Sequence, residues 1–360
     1  MRFLLLTLCL FFANGIWAKP NIAFLNPATD SHPFWEKTAQ FMRAAANQLG
    51  INLQVYYMPK SGITNRFQYY KMAETALNNK PDYLLFINLK GTGLKILQLA
   101  EQSQTQAIIF NSDILAQEKS QFGLPRGQFK YWLAHLSPND HQAGALLATT
   151  LIKQLPAGGT ANIIGLNGSF NSSTAKLRMS GLEQAAAKQS AILHQVTRSN
   201  SWTAEEGYKK TKVLLKRYPQ CNIIWAASDS LSLGAAKATS QQQKKSAIII
   251  GGVDWSDEGI EAVKQGTLAA SVGGHFIGGG IALVLAYDHY NQFDFAPSLG
   301  TQIVLQMYPM TLNNLPRCAP HLTSTAFKLI DFKTFTQTHS KQPLQPNFLA
   351  NLPFAKHCTE

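Results

Sequence analysis

The chain has 360 residues, 45% of them hydrophobic and 14% charged, with 32 Lys and Arg against 20 Asp and Glu. This length and apolar content exclude a disordered chain and favour two domains of roughly 150 residues each, and four cysteines are too few for a small disulfide-built scaffold. The formal net charge of +12 is spread without a basic run longer than two residues, which favours a solvated surface over a polyanion-binding site.

The first 18 residues have the pattern of a secretory signal peptide. Arg2 precedes an apolar run over residues 3–12, and Ala18 supplies the small residue expected at a cleavage site. That run is shorter than the ~20 residues needed to cross a bilayer, and no later segment reaches that length. The sequence therefore predicts an exported protein whose mature chain begins near Lys19, with a periplasmic location in a cell that has two membranes.

Short apolar runs then alternate with longer amphipathic ones. The predicted strands of the first half are 21–26, 51–57, 83–88 and 107–110, and the predicted helices are 34–49, 66–78 and 93–103. The strands are almost continuously apolar, which indicates a parallel sheet covered by helices on both faces. Strand and helix in turn predict right-handed crossovers and a doubly wound α/β fold.

The same pattern restarts after Ser137 and Pro138. The predicted helices are 140–154, 176–188, 203–216, 231–239, 257–265 and 276–290, and the predicted strands are 161–166, 193–197, 223–227, 247–252 and 268–272. Two tandem copies of one layered unit predict two doubly wound lobes with a cleft between them.

The C-terminal tail, from Pro316 onward, is rich in proline and has little periodicity, so it is expected to wrap the surface or to be partly mobile. In an exported protein, Cys318 and Cys358 could form a disulfide that fastens this tail, while Cys221 opens an apolar strand and is expected to be buried. The alternative is a metal site of Cys318, His321, His357 and Cys358. Adjacent His and Cys side chains rarely point at one ion, so a disulfide or free thiols are favoured.

Polar and aromatic side chains follow the ends of the predicted strands, where open parallel sheets bind their ligands. This mixture suits a neutral polyhydroxylated ligand, because rings cover its C–H faces while amides and charged groups bond its hydroxyls. The candidate residues are His32, Phe34, Trp35, Asn88, Asn111, Ser112, Arg178, Trp202, Ser228, Asp254 and Gly274.

Several of these side chains also have structural explanations. Phe34 and Trp35 begin a helix and point about 100° apart, so at least one of them is expected to face the cleft. Asn88 and Asn111 could equally cap a helix or form a turn. Asp229 is expected to cap the following helix rather than to contact a ligand.

Six parts of the chain carry motifs that together resemble the type I periplasmic binding proteins, the ribose- and galactose-binding group. The resemblance covers about residues 21–305. Its specificity comes from the last two segments in combination, which are similar to Asn-Asp-x-x-Ala-Leu-Gly-Ala and to Val-Gly-Phe-Asp with a downstream Gly-x-Leu-x-Ala-(Ser/Thr)-Val. The segments read NIAFLN with SHPFW, KPDYLLFIN, QAIIFNSD, STAKLRMSGL, WAASDSLSLGAAKA and IIIGGVDWSDEGIEAVKQGTLAASV.

The resemblance implies roles for these residues. Arg178, which alone would be interpreted as a solvated charge, would join Asp254 in bonding ligand hydroxyls, and Trp202 would sandwich a sugar ring against the aromatics of the first lobe. The remaining candidates would complete the walls of the cleft. The chain also departs from the ribose binders: Asn111 and Ser112 replace an Asp-Arg pair, and Ser228 and Gly274 replace amides. These departures imply a ligand other than ribose, or one held less tightly.

The segment KPDYLLFIN with QAIIFN also looks like the autoinducer-2-binding relative, which regulates a membrane sensor kinase. That protein holds a borate diester with two arginines, whereas here Arg178 matches one and Gly274 falls near the second. Borate-ester binding is therefore disfavoured, while a sensor-kinase partner remains the alternative.

The resemblance implies a monomeric receptor that closes by a three-segment hinge on a monosaccharide or similar polyol and delivers it to the permease of an ABC transporter, without a metal or cofactor. The expected lobes are residues 19–137 with 275–308, and 138–274 with 309–335, followed by a tail over 336–360. An enzyme is disfavoured because nucleophile-elbow and dinucleotide motifs are missing from the sequence. A sugar-responsive repressor is disfavoured because the ~60 residues of a DNA-binding helix-turn-helix do not precede the first strand.

Overall fold

The computed structural model describes residues 19–59, 65–241 and 248–358. The predicted signal peptide lies outside these residues. Within them, every helix is too short or too polar to cross a membrane.

The order of strands and helices follows the predicted alternation. The strands are β1 (Asn21–Leu25), β2 (Asn52–Tyr56), β3 (Tyr83–Phe86), β4 (Gln106–Phe110), β5 (Trp132–Pro138), β6 (Asn162–Asn167), β7 (Ile192–Arg198), β8 (Ile223–Ala226), β9 (Ile249–Asp254), β10 (Ala270–Gly273), β11 (Gln302–Leu305) and β12 (Tyr308–Met310). The helices are α1 (Pro33–Leu49), α2 (Arg66–Asn78), α3 (Gly93–Gln102), α4 (Lys119–Phe122), α5 (Asp140–Ile152), α6 (Ser173–Lys188), α7 (Ala204–Arg217), α8 (Asp229–Ser240), α9 (Asp257–Lys264), α10 (Gly278–Tyr290), α11 (Ala296–Leu299), α12 (Leu315–Cys318), α13 (Ser324–Lys328), α14 (Gln337–Ser340) and α15 (Pro353–Cys358).

The strands form two six-stranded sheets, one in each lobe. The first has the order β11-β5-β4-β3-β1-β2 and is entirely parallel, and the second has the order β12-β10-β9-β8-β6-β7, with β12 antiparallel to β10. All residues of β3 and β8 are buried, as expected for central parallel strands with helices on both faces. The predicted fold class of two tandem doubly wound lobes is confirmed.

The chain passes between the lobes at three places, after β5, after β10 and between β11 and β12. The strands β5, β11 and β12 were not predicted. Two physical features conceal them: β11 is an edge strand whose exposed residues interrupt the apolar pattern, and β5 and β12 both contain proline. Tertiary pairing therefore determines these strands.

Reciprocal glycines allow the helices of the second lobe to pack with their backbones in contact. A Cβ at Gly144 of α5 would overlap the carbonyl oxygen of Arg178, and a Cβ at Gly181 of α6 would overlap that of His141. Gly207 of α7 and Gly234 of α8 face the opposite helix in the same way. The α5–α6 contact also determines the position of Arg178, whose own backbone forms part of it.

The tail is folded onto the protein. Cys318 and Cys358 form a disulfide with their Cα atoms 4.9 Å apart, so the alternative metal site lacks its two thiolates. Cys221 is buried, as expected, and its Sγ donates to the carbonyl oxygen of Ile223. Residues 324–335, expected in the second lobe, contact helix α1 of the first lobe through α13 and the short helix Phe332–Phe335.

Candidate functional site

A cavity of about 330 Å³ lies between the lobes, at the carboxyl ends of the strands of both sheets. Its volume is in the range of small-molecule sites. Ten of the eleven candidate residues line this cavity; Gly274 does not. The ten are His32, Phe34, Trp35, Asn88, Asn111, Ser112, Arg178, Trp202, Ser228 and Asp254.

Arg178 is a buried cation with three hydrogen bonds to the protein, not the solvated charge that its helix position alone would indicate. Its Nε donates to Asp140 Oδ1 at 2.7 Å and its Nη1 donates to the carbonyl oxygen of Ala227 at 2.7 Å. Its Nη2 donates to His275 Nε2 at 3.2 Å, and Nη1 lies 3.6 Å from Asp254 Oδ1. These partners hold the guanidinium rigidly in the cavity wall.

Asp254 is directed into the cavity by an unusual backbone conformation at the end of β9. Asp254 and Trp255 both have positive φ values, 142° and 57°, a conformation that costs free energy for residues with side chains. Burial raises the pKa of Asp254 to about 6, while Arg178 and His32 act in the opposite direction. The site therefore contains a carboxylate that changes charge in the mildly acidic range.

His275, and not the predicted Gly274, lines the cavity at the end of β10. Gly274 has φ 111° and turns the chain from β10 into the short helix His275–Ile277, which brings the His275 ring to the cavity wall. The ring stacks on Phe34 at 4.5 Å. Burial and Arg178 lower its pKa to about 3. Because Arg178 can only donate, His275 Nε2 accepts and the proton of the neutral ring lies on Nδ1.

Several buried polar atoms of the cavity residues have no protein partner. These are His32 Nδ1, Asn111 Oδ1 and His275 Nδ1, and Asp140 Oδ2 behind Arg178 is in the same state. Buried polar groups normally have a hydrogen-bond partner. Three of these atoms belong to residues that line the cavity, so each still has a hydrogen bond to form.

Other candidate side chains already serve the fold. Asn88 Oδ1 accepts from the Gly93 amide at the start of α3, and Ser112 Oγ accepts from the Asn88 amide. Ser228, not Asp229, is the N-cap of α8, since its Oγ accepts from the Leu231 amide. The prediction that Asp229 caps this helix is wrong.

The aromatic candidates line the cavity from both lobes. Phe34 and Trp35 are both buried and lie edge to face at 5.0 Å, and Trp202 is half-buried on the opposite lobe. Trp202 has φ 53° and lies against Gly168, where any Cβ would overlap its ring. The apolar surfaces needed to cover a flat ligand are therefore present on both sides.

The candidate residues do not include two residues of the site, Asp140 and His275. His275 follows Gly273 and Gly274 at a strand end, so its position was a usable signal. Asp140 has the pattern of an ordinary first-turn acidic residue. Only its contact with Arg178, 38 residues away in the chain, distinguishes it.

Asp229 is a second buried carboxylate, located behind Asp254. It accepts hydrogen bonds from the Ser256 amide and hydroxyl and from the Ser271 hydroxyl. Burial, followed by the charge of Asp254, raises its pKa to about 7. The folded state therefore takes up a proton near neutrality that the unfolded chain, with an ordinary aspartate pKa, does not.

We expect the wild-type melting temperature to rise as the pH falls from 8 to 6.5, because a raised carboxylate pKa penalises the folded state at high pH and this penalty disappears on protonation. Asp229→Asn should show a smaller rise over the same range by differential scanning calorimetry. His32 and His275 have lowered pKa values and act in the opposite direction below about pH 6.5, which sets the lower limit of the range. An equal rise in both proteins would contradict the assignment.

Comparison with known proteins identifies related sequences and folds. The family described as a periplasmic binding protein domain matches residues 22–289. The ribose import binding protein of Haemophilus influenzae is 32% identical over 151 residues, which cover 41% of this chain and 50% of that protein. The D-allose-binding periplasmic protein of Escherichia coli is 24% identical over 68% of this chain and 76% of that protein.

Solved structures share the fold over most of their length. A periplasmic sugar-binding protein from Pseudomonas fluorescens has a TM-score of 0.78 and 26% identity, covering 91% of this chain and 97% of that one. A solute-binding protein from Actinobacillus succinogenes with bound D-allose has a TM-score of 0.73 and 21% identity, covering 83% and 99%.

Proposed function

The chain belongs to the family of periplasmic binding protein domains, and from this premise we propose that it binds a small sugar-like molecule between its lobes and delivers it to an ABC transporter. The observation that carries this proposal is the convergence of ten predicted residues from both lobes on one cavity. The unpartnered polar atoms of that cavity fit the hydroxyl groups of such a ligand.

The pairing of Arg178 supports a neutral polyol. Arg178 is already paired with Asp140 and lies near Asp254, so it has little excess positive charge to offer an anion. Hydroxyl groups, in contrast, can both accept from Arg178 and the Nδ1–H of His275 and donate to Asp254 and Asn111 Oδ1. Phe34 and Trp202 supply the apolar faces.

Closure of the lobes is the proposed mechanism. Three short connections link the lobes, so a few backbone angles can absorb a rotation while each sheet stays rigid. A ligand that contacts both walls stabilises the closed form because it gains its full set of bonds only there. Lys37 of α1 already pairs with Asp257 of α9 across the lobes at 2.5 Å.

Transport is favoured over sensor-kinase signalling because the relatives include proteins named for import, among them the ribose and D-apiose import binding proteins. Binding rather than catalysis fits the same relatives. The sequence pattern of residues 1–18 supports export to the periplasm.

Calorimetric titration of refolded protein, freed of ligand acquired in the cell, tests the proposal. The panel contains D-ribose, D-allose, xylitol, D-apiose, D-fructose and L-arabinose, the compounds named for the relatives and structural neighbours. We expect saturable one-site binding of at least one compound. Trp202→Ala should weaken it by about tenfold or more, because ring stacking contributes about 1 kcal/mol beyond the buried area.

Tyr218→Ala is the matched control, since Tyr218 is a half-buried aromatic of the same lobe that stacks on His194 outside the cavity. The sugar affinity of Tyr218→Ala should equal that of the wild type. Heat signals absent from the whole panel and from a wider set of polyols, or equal losses in both variants, would refute the proposed site.

A further inference from the structure

We propose that the C-terminal segment, residues 311–358, is a disulfide-closed strap that bridges the two lobes and limits how far the cleft opens. The inference rests on the hinge closure proposed above, but it concerns a different part of the molecule. It is also measurable without any ligand.

Both ends of the strap are fastened to the second lobe. The segment leaves β12, which pairs with β10 of the second sheet, and α12 contacts α9. Asn314 organises this end, because its Oδ1 accepts from the Thr311 amide and its Nδ2 donates to the carbonyl oxygens of Pro309 and Cys358. The Cys318–Cys358 disulfide then joins α12 to α15, which contacts β12.

The middle of the strap is bonded to the first lobe. The Gln48 side chain at the end of α1 donates to the carbonyl oxygen of Lys328 and accepts from the Phe332 amide. The buried Asp288 carboxylate of α10 accepts from the amides of Gln337 and Thr338 and from the Thr338 hydroxyl. Hydrogen bonds to a buried carboxylate are among the stronger ones in proteins.

Phenylalanines complete the attachment. Phe41 of α1 contacts Phe327, Phe332 and Phe354 of the strap with ring centroids 5.2, 5.3 and 6.4 Å away. Phe276, in the connection that follows β10, contacts Phe327 and Phe354 at 5.4 and 5.6 Å. The strap therefore also covers one of the three connections between the lobes.

This arrangement couples the strap to the hinge. The disulfide closes a loop with a sequence separation of 40, held at both ends by one lobe and in the middle by the other. If the lobes separate at α1 and α9, one set of attachments must break. The strap loses either its first-lobe contacts with Gln48, Asp288 and Phe41 or the attachment of α12 and α15 to the second lobe. Without the disulfide, α15 can detach with the rest of the tail, so less free energy opposes opening.

Small-angle X-ray scattering of the ligand-free protein tests the strap. We expect Cys318→Ser/Cys358→Ser to have a larger radius of gyration than the wild type, with the far-UV circular dichroism unchanged. Reduction of the wild type should give the same shift, and reoxidation should reverse it. Cys221→Ser is the control, because Cys221 is buried in the second lobe and not bonded to the strap cysteines; it should scatter as the wild type does.

A second variant keeps the test decisive if loss of the disulfide unfolds the chain. Phe327→Ala/Phe332→Ala retains the disulfide but removes contacts with α1, and it should also increase the radius of gyration. Unchanged scattering in both folded variants would overturn the proposal, even if sugars bind. If the radius of gyration increases in these variants but the protein binds no sugar, the proposed strap is supported and only the proposed ligand class is refuted.

Discussion

Arg178→Ala is expected to abolish measurable sugar binding and to lower the free energy of unfolding by about 3–5 kcal/mol, the range observed when one member of a buried ion pair is removed. The reason is the burial of both partners: the side chains of Arg178 and Asp140 are 3% and 0% exposed. Without the guanidinium, the Asp140 carboxylate and the Ala227 carbonyl oxygen lose their donor in a region closed to water.

Two further substitutions separate the effect on binding from the effect on folding. Arg178→Lys retains a charge but cannot reproduce three directed bonds from a planar group, so we expect partial recovery of stability and little recovery of binding. Arg178→Ala/Asp140→Ala removes both charges and should be more stable than Arg178→Ala alone, while binding remains lost.

Chemical denaturation and calorimetric titration measure the two effects in each variant. Lys188→Ala is the matched control, because this exposed cation lies on the same helix and should leave both quantities within about 0.5 kcal/mol of the wild type. Wild-type affinity in Arg178→Ala, or a stability equal to that of Lys188→Ala, would show that Arg178 has neither role.

Gly181→Ala is expected to destabilise the protein by about 1–3 kcal/mol, the usual cost of overpacking a core. Helix propensity alone predicts the opposite effect on stability, because it favours alanine over glycine by roughly 1 kcal/mol inside a helix. The added Cβ would overlap the carbonyl oxygen of His141 and crowd the amide of Ala145. Both obstacles are backbone atoms of α5, so a side-chain rotation cannot relieve them and the helices must move apart.

The displacement should also reach the site, because Gly144 of α5 faces the Arg178 carbonyl oxygen one turn away on α6. We therefore expect weaker sugar binding together with the lower stability. Ser180→Ala is the control, since Ser180 is an exposed neighbour on the same helix and its replacement should be neutral or slightly stabilising. Urea denaturation that found Gly181→Ala as stable as Ser180→Ala would contradict the close approach of the two helices.

Much of the fold could be predicted because long helices and buried parallel strands have distinctive local patterns. Helix α2 was predicted at both of its bounds and α1 to within one residue. The strands β5, β11 and β12 could not be predicted because they lack a local apolar pattern and are stabilised by pairing with strands distant in the chain. The tail was predicted to wrap the surface or to be partly mobile, and it lies on the protein with Phe327 and Phe332 buried against α1.

The sequence by itself determined the composition of the cleft, because topology brings the carboxyl ends of parallel strands together and those positions can be identified along the chain. It could not determine which hydrogen bonds and ion pairs the cleft residues form with one another. Those arrangements follow from contacts between residues far apart in the chain, and only the tertiary structure decides them.

Three features illustrate this division. Arg178 reaches Asp140 because α5 and α6 approach each other closely at their glycines. His275 lines the cavity instead of Gly274 because the positive φ of that glycine turns the chain. The net charge of +12 gave no indication of the site. Arg178 is buried and paired, which a count of charges cannot reveal because burial depends on the packing of the whole chain.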